Sequence, residues 1–156
     1  MSVPQVRALV AQDVVAARAL VRSVNGDLSH LTRTLELLEL ALPSDDPEYQ
    51  GLVSPCEGGS VGAMVVYGSV GGASGVVKLH TLIGSTVDAL AAVIDALRRA
   101  HASRDARMFI CELSGEQEDA LAYRALTSAN FACEARVADY FADGVALHLL
   151  VLRHAE

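Results

Sequence analysis

Nine of the twelve glycines in this chain of 156 residues fall between Gly51 and Gly84, and all four prolines lie before residue 56. Glycines set between β-branched runs mark tight turns and close backbone approach, so the middle of the chain must be closely packed strands joined by short turns. Gly58-Gly59 separates a strand over Tyr49 to Cys56 from one over Val61 to Val70. Gly71-Gly72-Ala73-Ser74-Gly75 separates the latter from a third over Val76 to Ile83. The spacing predicts a three-stranded antiparallel meander. After Gly84 the period becomes helical: Val87, Leu90, Val93, Ile94 and Leu97 share one face, and Arg98, Arg99 and Arg104 lie near the end, where cations suit the helix dipole.

The flanks complete the pattern. Val6 to Val10 predicts a short first strand. Asp13 then precedes a helix with Val14, Val15, Ala17, Leu20, Val21 and Val24 as its apolar set. Asn25-Gly26-Asp27 breaks that helix, and Asp27 or Ser29 caps a second. Its stripe is Leu28, Leu31, Leu35, Leu38 and Leu42, opposite Arg33, Glu36 and Glu39, and Pro43 and Pro47 end it. Downstream, Ala106 to Leu113 reads as a buried strand and Glu116 to Ser128 as a shorter helix. Phe131 to Phe141 and Val145 to Leu152 form a closing hairpin through Ala142-Asp143-Gly144. The expectation is one domain over residues 1–156. With 52% hydrophobic and 20% charged residues, such a chain can offset its folding entropy by burial.

A formal net charge of −7, with Arg98-Arg99 the one dense basic spot, argues against a nucleic-acid partner. No uncharged apolar stretch is long enough for a membrane span, and the first residues lack the basic-then-apolar order of a leader, so a cytoplasmic protein is expected. Cys56, Cys111 and Cys133, an odd number without a CxxC pair, read as small core residues in a reducing compartment. His30, His101, His148 and His154 are dispersed without helical i, i+4 spacing, and no metal site is expected. Ser114-Gly115 and Gly71-Gly72 match neither a nucleophile elbow nor a phosphate loop and read as turns.

The element order strand, two helices, three-strand meander, long helix, strand, helix and final hairpin resembles that of the GNAT N-acetyltransferases, and three local sequences strengthen the likeness. Gly59 to Gly68 (GSVGAMVVYG) is similar to the family's passage from second to third strand. Ala106 to Glu112, with the helix before Asn130-Phe131, is similar to the fifth strand and the helix that ends in a Gly-aromatic pair. Asp139-Tyr140-Phe141-Ala142-Asp143-Gly144 resembles the aromatic hairpin of many bacterial members. The resemblance implies an α/β (α+β) fold: a mixed, mostly antiparallel sheet of about seven strands with about four helices on both its faces. It also implies acetyl-CoA in a splay between the fourth and fifth strands and transfer of its acetyl group to a small-molecule or peptide amine. Such chemistry needs backbone N–H groups for the pyrophosphate, a main-chain N–H for the thioester oxygen, a base for the amine and often a tyrosine for the thiolate.

Carried onto this chain, the cofactor segment is Leu82, Ile83, Gly84, Ser85, Thr86 and Val87, with one glycine where the family pattern has two or three. Ser85 with Asp88 also reads as a capping-box variant, which sets a carboxylate where a pyrophosphate would sit. The family tyrosine aligns with Leu126, and Tyr123, one turn earlier, is the candidate substitute. Glu112, ending the fifth strand toward the cleft, is a candidate base, beside the plainer reading of a solvated strand end. His80, within the fourth strand, has a pKa suited to proton transfer, beside the plainer reading of a satisfied strand histidine. Tyr140 and Phe141 fit a substrate mouth, a subunit contact or cross-strand packing. Two functions follow: an acetyl-CoA-dependent N-acetyltransferase, or a GNAT-fold module without catalysis that binds a partner. The apolar composition is compatible with a homodimer in either case.

Overall fold

The glycine-punctuated middle of the chain builds the centre of a seven-stranded sheet in the computed structural model, which describes residues 5–25, 31–45, 47–102, 106–114 and 120–153. The strands are β1 Arg7–Ala8, β2 Gln50–Pro55, β3 Val61–Val70, β4 Ala73–Gly84, β5 Met108–Ser114, β6 Ala132–Ala142 and β7 Val145–Arg153, in the spatial order β1-β2-β3-β4-β5-β7-β6. Every neighbouring pair is antiparallel except β4 with β5. The helices are α1 Val14–Asn25, α2 Leu31–Leu40, α3 Val87–Ala100 and α4 Ala120–Ser128. The expected α/β architecture, a mixed sheet with helices on both faces, is what forms. The expected caps Asp27 and Ser29, together with Leu28, His30, Arg104, Gly115, positions 116–119 and His154, lie outside the described residues.

Alternation along the strands divides the apolar residues between two cores. Val65 and Tyr67 of β3, Leu79 of β4 and Phe109, Cys111 and Leu113 of β5 pack with Leu90, Val93, Ile94 and Leu97 of α3 and with Ala122, Ala125 and Leu126 of α4. On the other face, Val53 of β2, Met64 and Val66 of β3 and Ile83 of β4 pack with Ala17, Leu20 and Val21 of α1 and Leu37 and Leu38 of α2. The expected face of α3 is the buried one.

Several expectations need correction. The buried stripe of α2 runs through Thr34, Leu37 and Leu38 and on to Ala41, with Leu31, Leu35 and Leu42 only flanking it. Five leucines at near-helical spacing therefore marked the helix but missed its phase by about half a face. Val15 is 80% exposed, although it belongs to the apolar set of α1. Cys56 and Cys133 are exposed and only Cys111 is buried, and among the described residues none of the three forms a disulfide.

β1 is only two residues long because the next turn consumes its pairing groups. The Asp13 carboxylate accepts hydrogen bonds from the Val10 backbone N–H at 2.9 Å and from both Arg7 guanidinium nitrogens at 2.7 and 2.8 Å. These contacts turn the chain through the 3-10 segment Ala11–Asp13 into α1. The Arg7 hydrogen bonds, more than the opposing effect of burial, hold the Asp13 carboxyl below the usual carboxylate range, and the Val10 N–H adds to this.

The end of α4 explains Asn130-Phe131. Asn130 takes φ 69°, the left-handed conformation that asparagine adopts most readily after glycine. This lets the Phe131 N–H reach back to the Leu126 carbonyl at 3.0 Å and closes the helix. Phe131 then enters the core.

Candidate active site

The parallel pair opens into a wedge. β4 and β5 pair only from Val76 with Met108 to Leu79 with Cys111. Beyond that point β4 follows β3 as far as Gly84 opposite Ala63, and β5 follows β7 as far as Ser114 opposite Leu147. The facing backbone edges of His80–Gly84 and Glu112–Ser114 are left out of the β4–β5 ladder. A cleft of about 470 Å³ occupies this opening, walled by α2, β4, β5 and Phe141 from the β6–β7 hairpin.

Lys78 and His80 face the cleft by strand alternation while Val77 and Leu79 enter the α3 side of the core. Val66 pairs with Thr81 and Tyr67 with Leu79, so His80 is an extra residue on β4, and beyond this bulge Thr81 also lines the cleft. Lys78 Nζ lies 3.4 Å from the Glu112 carboxylate, an ion pair across the strands that diverge just beyond it. The His80 ring stands edge-on to Tyr49 with centroids 5.0 Å apart. Burial, foremost, lowers the pKa of His80, and the positive charges of Lys78 and Arg33 lower it further against a smaller opposing pull from Glu112. The imidazole is therefore a neutral acceptor at neutral pH.

Phe141 reaches the cleft because β6 departs from its ladder. After Val137 pairs with Leu147, the next pair is Ala142 with Val145. Asp139 within the interval takes φ 55° and accepts the Gly144 N–H at 2.8 Å. Tyr140 and Phe141 are thereby displayed edge-to-face, 58% and 51% exposed.

The cofactor segment is divided between elements. Leu82, Ile83 and Gly84 finish β4, Ser85 and Thr86 form the turn, and Val87 opens α3. The capping residue is Thr86, not Ser85: Thr86 Oγ1 accepts the Ala89 N–H at 3.1 Å. Ser85 instead extends the sheet, with its N–H on the Gly62 carbonyl at 2.9 Å. The β4 ladder thus runs one residue further than the sequence suggests and moves the cap along with it. Gly84 is required by packing, since a Cβ there would lie 2.6 Å from Leu90 Cγ and 3.1 Å from Ala63 Cβ. The N–H groups of Val87 and Asp88, first in α3, have no intrahelical acceptor and point out of the helix end. The exposed Asp88 carboxylate shares that turn.

Of the two residues proposed for catalysis from the sequence, Glu112 lines the cleft and Tyr123 does not. The Tyr123 ring packs edge-on against His148 of β7 at 5.7 Å, and Leu126 is fully buried in the α3–α4 core. Sequence reasoning missed Arg33, Tyr49 and Lys78 as cleft residues. For Lys78 there was a signal: it is the single lysine of the chain, set inside an apolar strand.

No protein-family model and no curated protein sequence matches this chain. Solved structures do. A protein assigned to the GNAT acetyltransferases from Desulfovibrio desulfuricans superposes with TM-score 0.79 at 18% identity, over 97% of this chain and 99% of that one. The ribosomal-protein-S18-alanine N-acetyltransferase of Escherichia coli gives 0.74 at 12% identity, over 97% and 94% of the two chains. The aminoglycoside 6'-N-acetyltransferase of Enterococcus faecium gives 0.69 at 10%, over 96% of each. With the wedge between β4 and β5, the bulged fourth strand and the closing hairpin, this chain has the fold of the GNAT acetyltransferases.

Proposed function

We propose that the chain is an acetyl-CoA-dependent N-acetyltransferase acting on a primary amine bound in the wedge. The observation that carries this reading is the opening itself: a parallel pair that parts beyond Leu79 and Cys111 over a cleft bearing a neutral imidazole and a carboxylate.

The residues present fit the donor in two places. The backbone edge of His80–Gly84, left out of the β4–β5 ladder, offers N–H and C=O groups to an extended amide-bearing arm, as an added strand would use them. The outward N–H groups of Val87 and Asp88 suit a pyrophosphate. The Asp88 carboxylate opposes that second contact, so donor affinity rests mainly on the wedge. When bound, the donor supplies an acetyl thioester as electrophile.

The chain's own groups handle the amine. Glu112 accepts a hydrogen bond from it, and His80, neutral through burial, takes its proton. With a donor bound, His80 would take one proton from the amine nitrogen as that nitrogen bonded to the acetyl carbon and the carbon–sulfur bond broke, and solvent would supply the proton to sulfur. Tyr123, turned toward His148, has no part in this scheme.

The second reading, a partner-binding module without catalysis, draws on Asp88 and on the edge strand β6. That strand is exposed along its whole length, with Val137 45% exposed, and offers a pairing edge to a second copy. Calorimetric titration with acetyl-CoA, followed by thiol release over a panel of amines, separates the two. Saturable binding with amine-dependent thiol release supports the enzyme; no heat at millimolar acetyl-CoA overturns it.

A further inference from the structure

The polar wall of the cleft is built against the charge of the rest of the molecule. The chain carries a formal net charge of −7, yet among the described residues the cleft lining holds two cations, Arg33 and Lys78, and one carboxylate, Glu112. Lys78 is the chain's only lysine, and its side chain is 28% exposed at the centre of the sheet. An ammonium has three donors, and the 3.4 Å contact with Glu112 engages one direction. The Glu112 side chain, 41% exposed, keeps acceptor capacity toward the cleft. Arg33 approaches from α2, with the Glu36 carboxylate at 3.5 Å beside it. Tyr49 and Phe141 supply aromatic surface on two sides.

The Lys78–Glu112 pair on the parting strands, with Arg33 lining the cleft from α2 beside Glu36, complements a zwitterion. An anionic group of the ligand meets Lys78 and Arg33, while its amine meets Glu112 and His80. A polycation meets like charge at Lys78 and Arg33, which disfavours it.

We propose that the cleft selects a small amine that carries its own carboxylate, of the amino-acid type with an apolar side chain, and that Lys78 and Arg33 are its specificity-determining residues. The role of this amine as acetyl acceptor rests on the acetyltransferase reading above; the selection itself does not.

Lys78 being the only side-chain amine makes a direct test available. Biosynthetic incorporation of ε-13C-labelled lysine into the full chain leaves the ammonium and its three donors intact and yields one lysine Cε signal. The probes are L-phenylalanine, L-phenylalaninamide, phenethylamine and spermidine, titrated with and without acetyl-CoA. L-Phenylalanine should move the Lys78 signal saturably and bind at least tenfold more tightly than the amide or phenethylamine, and spermidine should not move it. Calorimetry on the unlabelled protein should show the preference lost in Arg33→Gln and Lys78→Gln, with the thermal unfolding midpoint of each variant recorded as a control for folding. Equal or tighter binding of phenethylamine or spermidine overturns the proposal, as does a Lys78 signal that none of the probes moves. Failure of acetyl-CoA to bind while L-phenylalanine still shifts the signal overturns the acetyltransferase reading and leaves the selectivity standing.

Discussion

Gly84 is the single glycine in the segment where the resemblance calls for phosphate-cradling glycines, and its structural role predicts a specific failure. A methyl added by Gly84→Ala lies 2.6 and 2.9 Å from Leu90 Cγ and Cδ2 and 3.1 Å from Ala63 Cβ. Leu90 and Ala63 are both 0% exposed, and the closest contact is to the branch point of Leu90, so α3 must move off β3 and β4. Overpacking of this kind costs about 1 to 3 kcal/mol. For a domain of this size that lowers Tm by roughly 2 to 12 °C. Leu90→Ala alone should cost about 2 to 5 kcal/mol through the cavity it leaves. In the Leu90→Ala background, however, Gly84→Ala loses its two worst contacts and should cost at least about 1 kcal/mol less than in the parent, a coupling typical of touching residues. Urea unfolding of the four proteins in the cycle gives each number. Unchanged stability in Gly84→Ala together with lost acetyl-CoA affinity would refute the packing argument and return the glycine to a phosphate role.

Three further outcomes follow from the geometry. His80→Gln should lower amine-dependent turnover by about 10² to 10⁴-fold, and parent kcat should rise with pH along a limb below the ordinary imidazole value, because burial lowers the His80 pKa, a limb that the variant loses; a variant that keeps this limb would exclude His80 as the base. Tyr123→Phe should leave turnover within a factor of two or so, since the hydroxyl lies off the cleft, and a loss of the size expected for a general acid would reinstate it. Asp13→Asn should cost about 1 to 3 kcal/mol near neutral pH by removing a charged acceptor that is 8% exposed. The folded pKa of Asp13 lies below its unfolded value, so its contribution is present above the unfolded value and lost as pH falls through the folded one. The gap between parent and variant in acid titrations of stability should therefore close on the acid side, and a constant gap would contradict the Arg7–Asp13 account.

The sheet and α3 were legible because burial leaves a period in the sequence. Val61–Val70 forms over its expected bounds, and Leu90, Val93, Ile94 and Leu97 bury as their spacing demands. The phase of α2 was harder to read, since leucines on both sides of Thr34, Leu37 and Leu38 widen the apolar stripe until its centre is ambiguous. The cap of α3 was misplaced by one residue because Ser85 and Thr86 are both good caps, and only the Ser85–Gly62 ladder bond decides between them. The cleft was least legible. Arg33, Tyr49, Lys78, Glu112 and Phe141 are far apart in sequence, and the bulge at His80 depends on the pairing of β3 with β4. Glu112 was found because a strand end carries a local mark, whereas the arginine on α2 looks like any solvated helix face.

Whether the opening between β4 and β5 is a donor site is decided by backbone amide NMR of the labelled chain titrated with acetyl-CoA. The predicted result is saturable shifts confined to His80–Gly84, Val87, Asp88 and Glu112–Ser114, the edges of the wedge and the start of α3. An unchanged spectrum at millimolar acetyl-CoA, or shifts gathered along β6 instead, would contradict it.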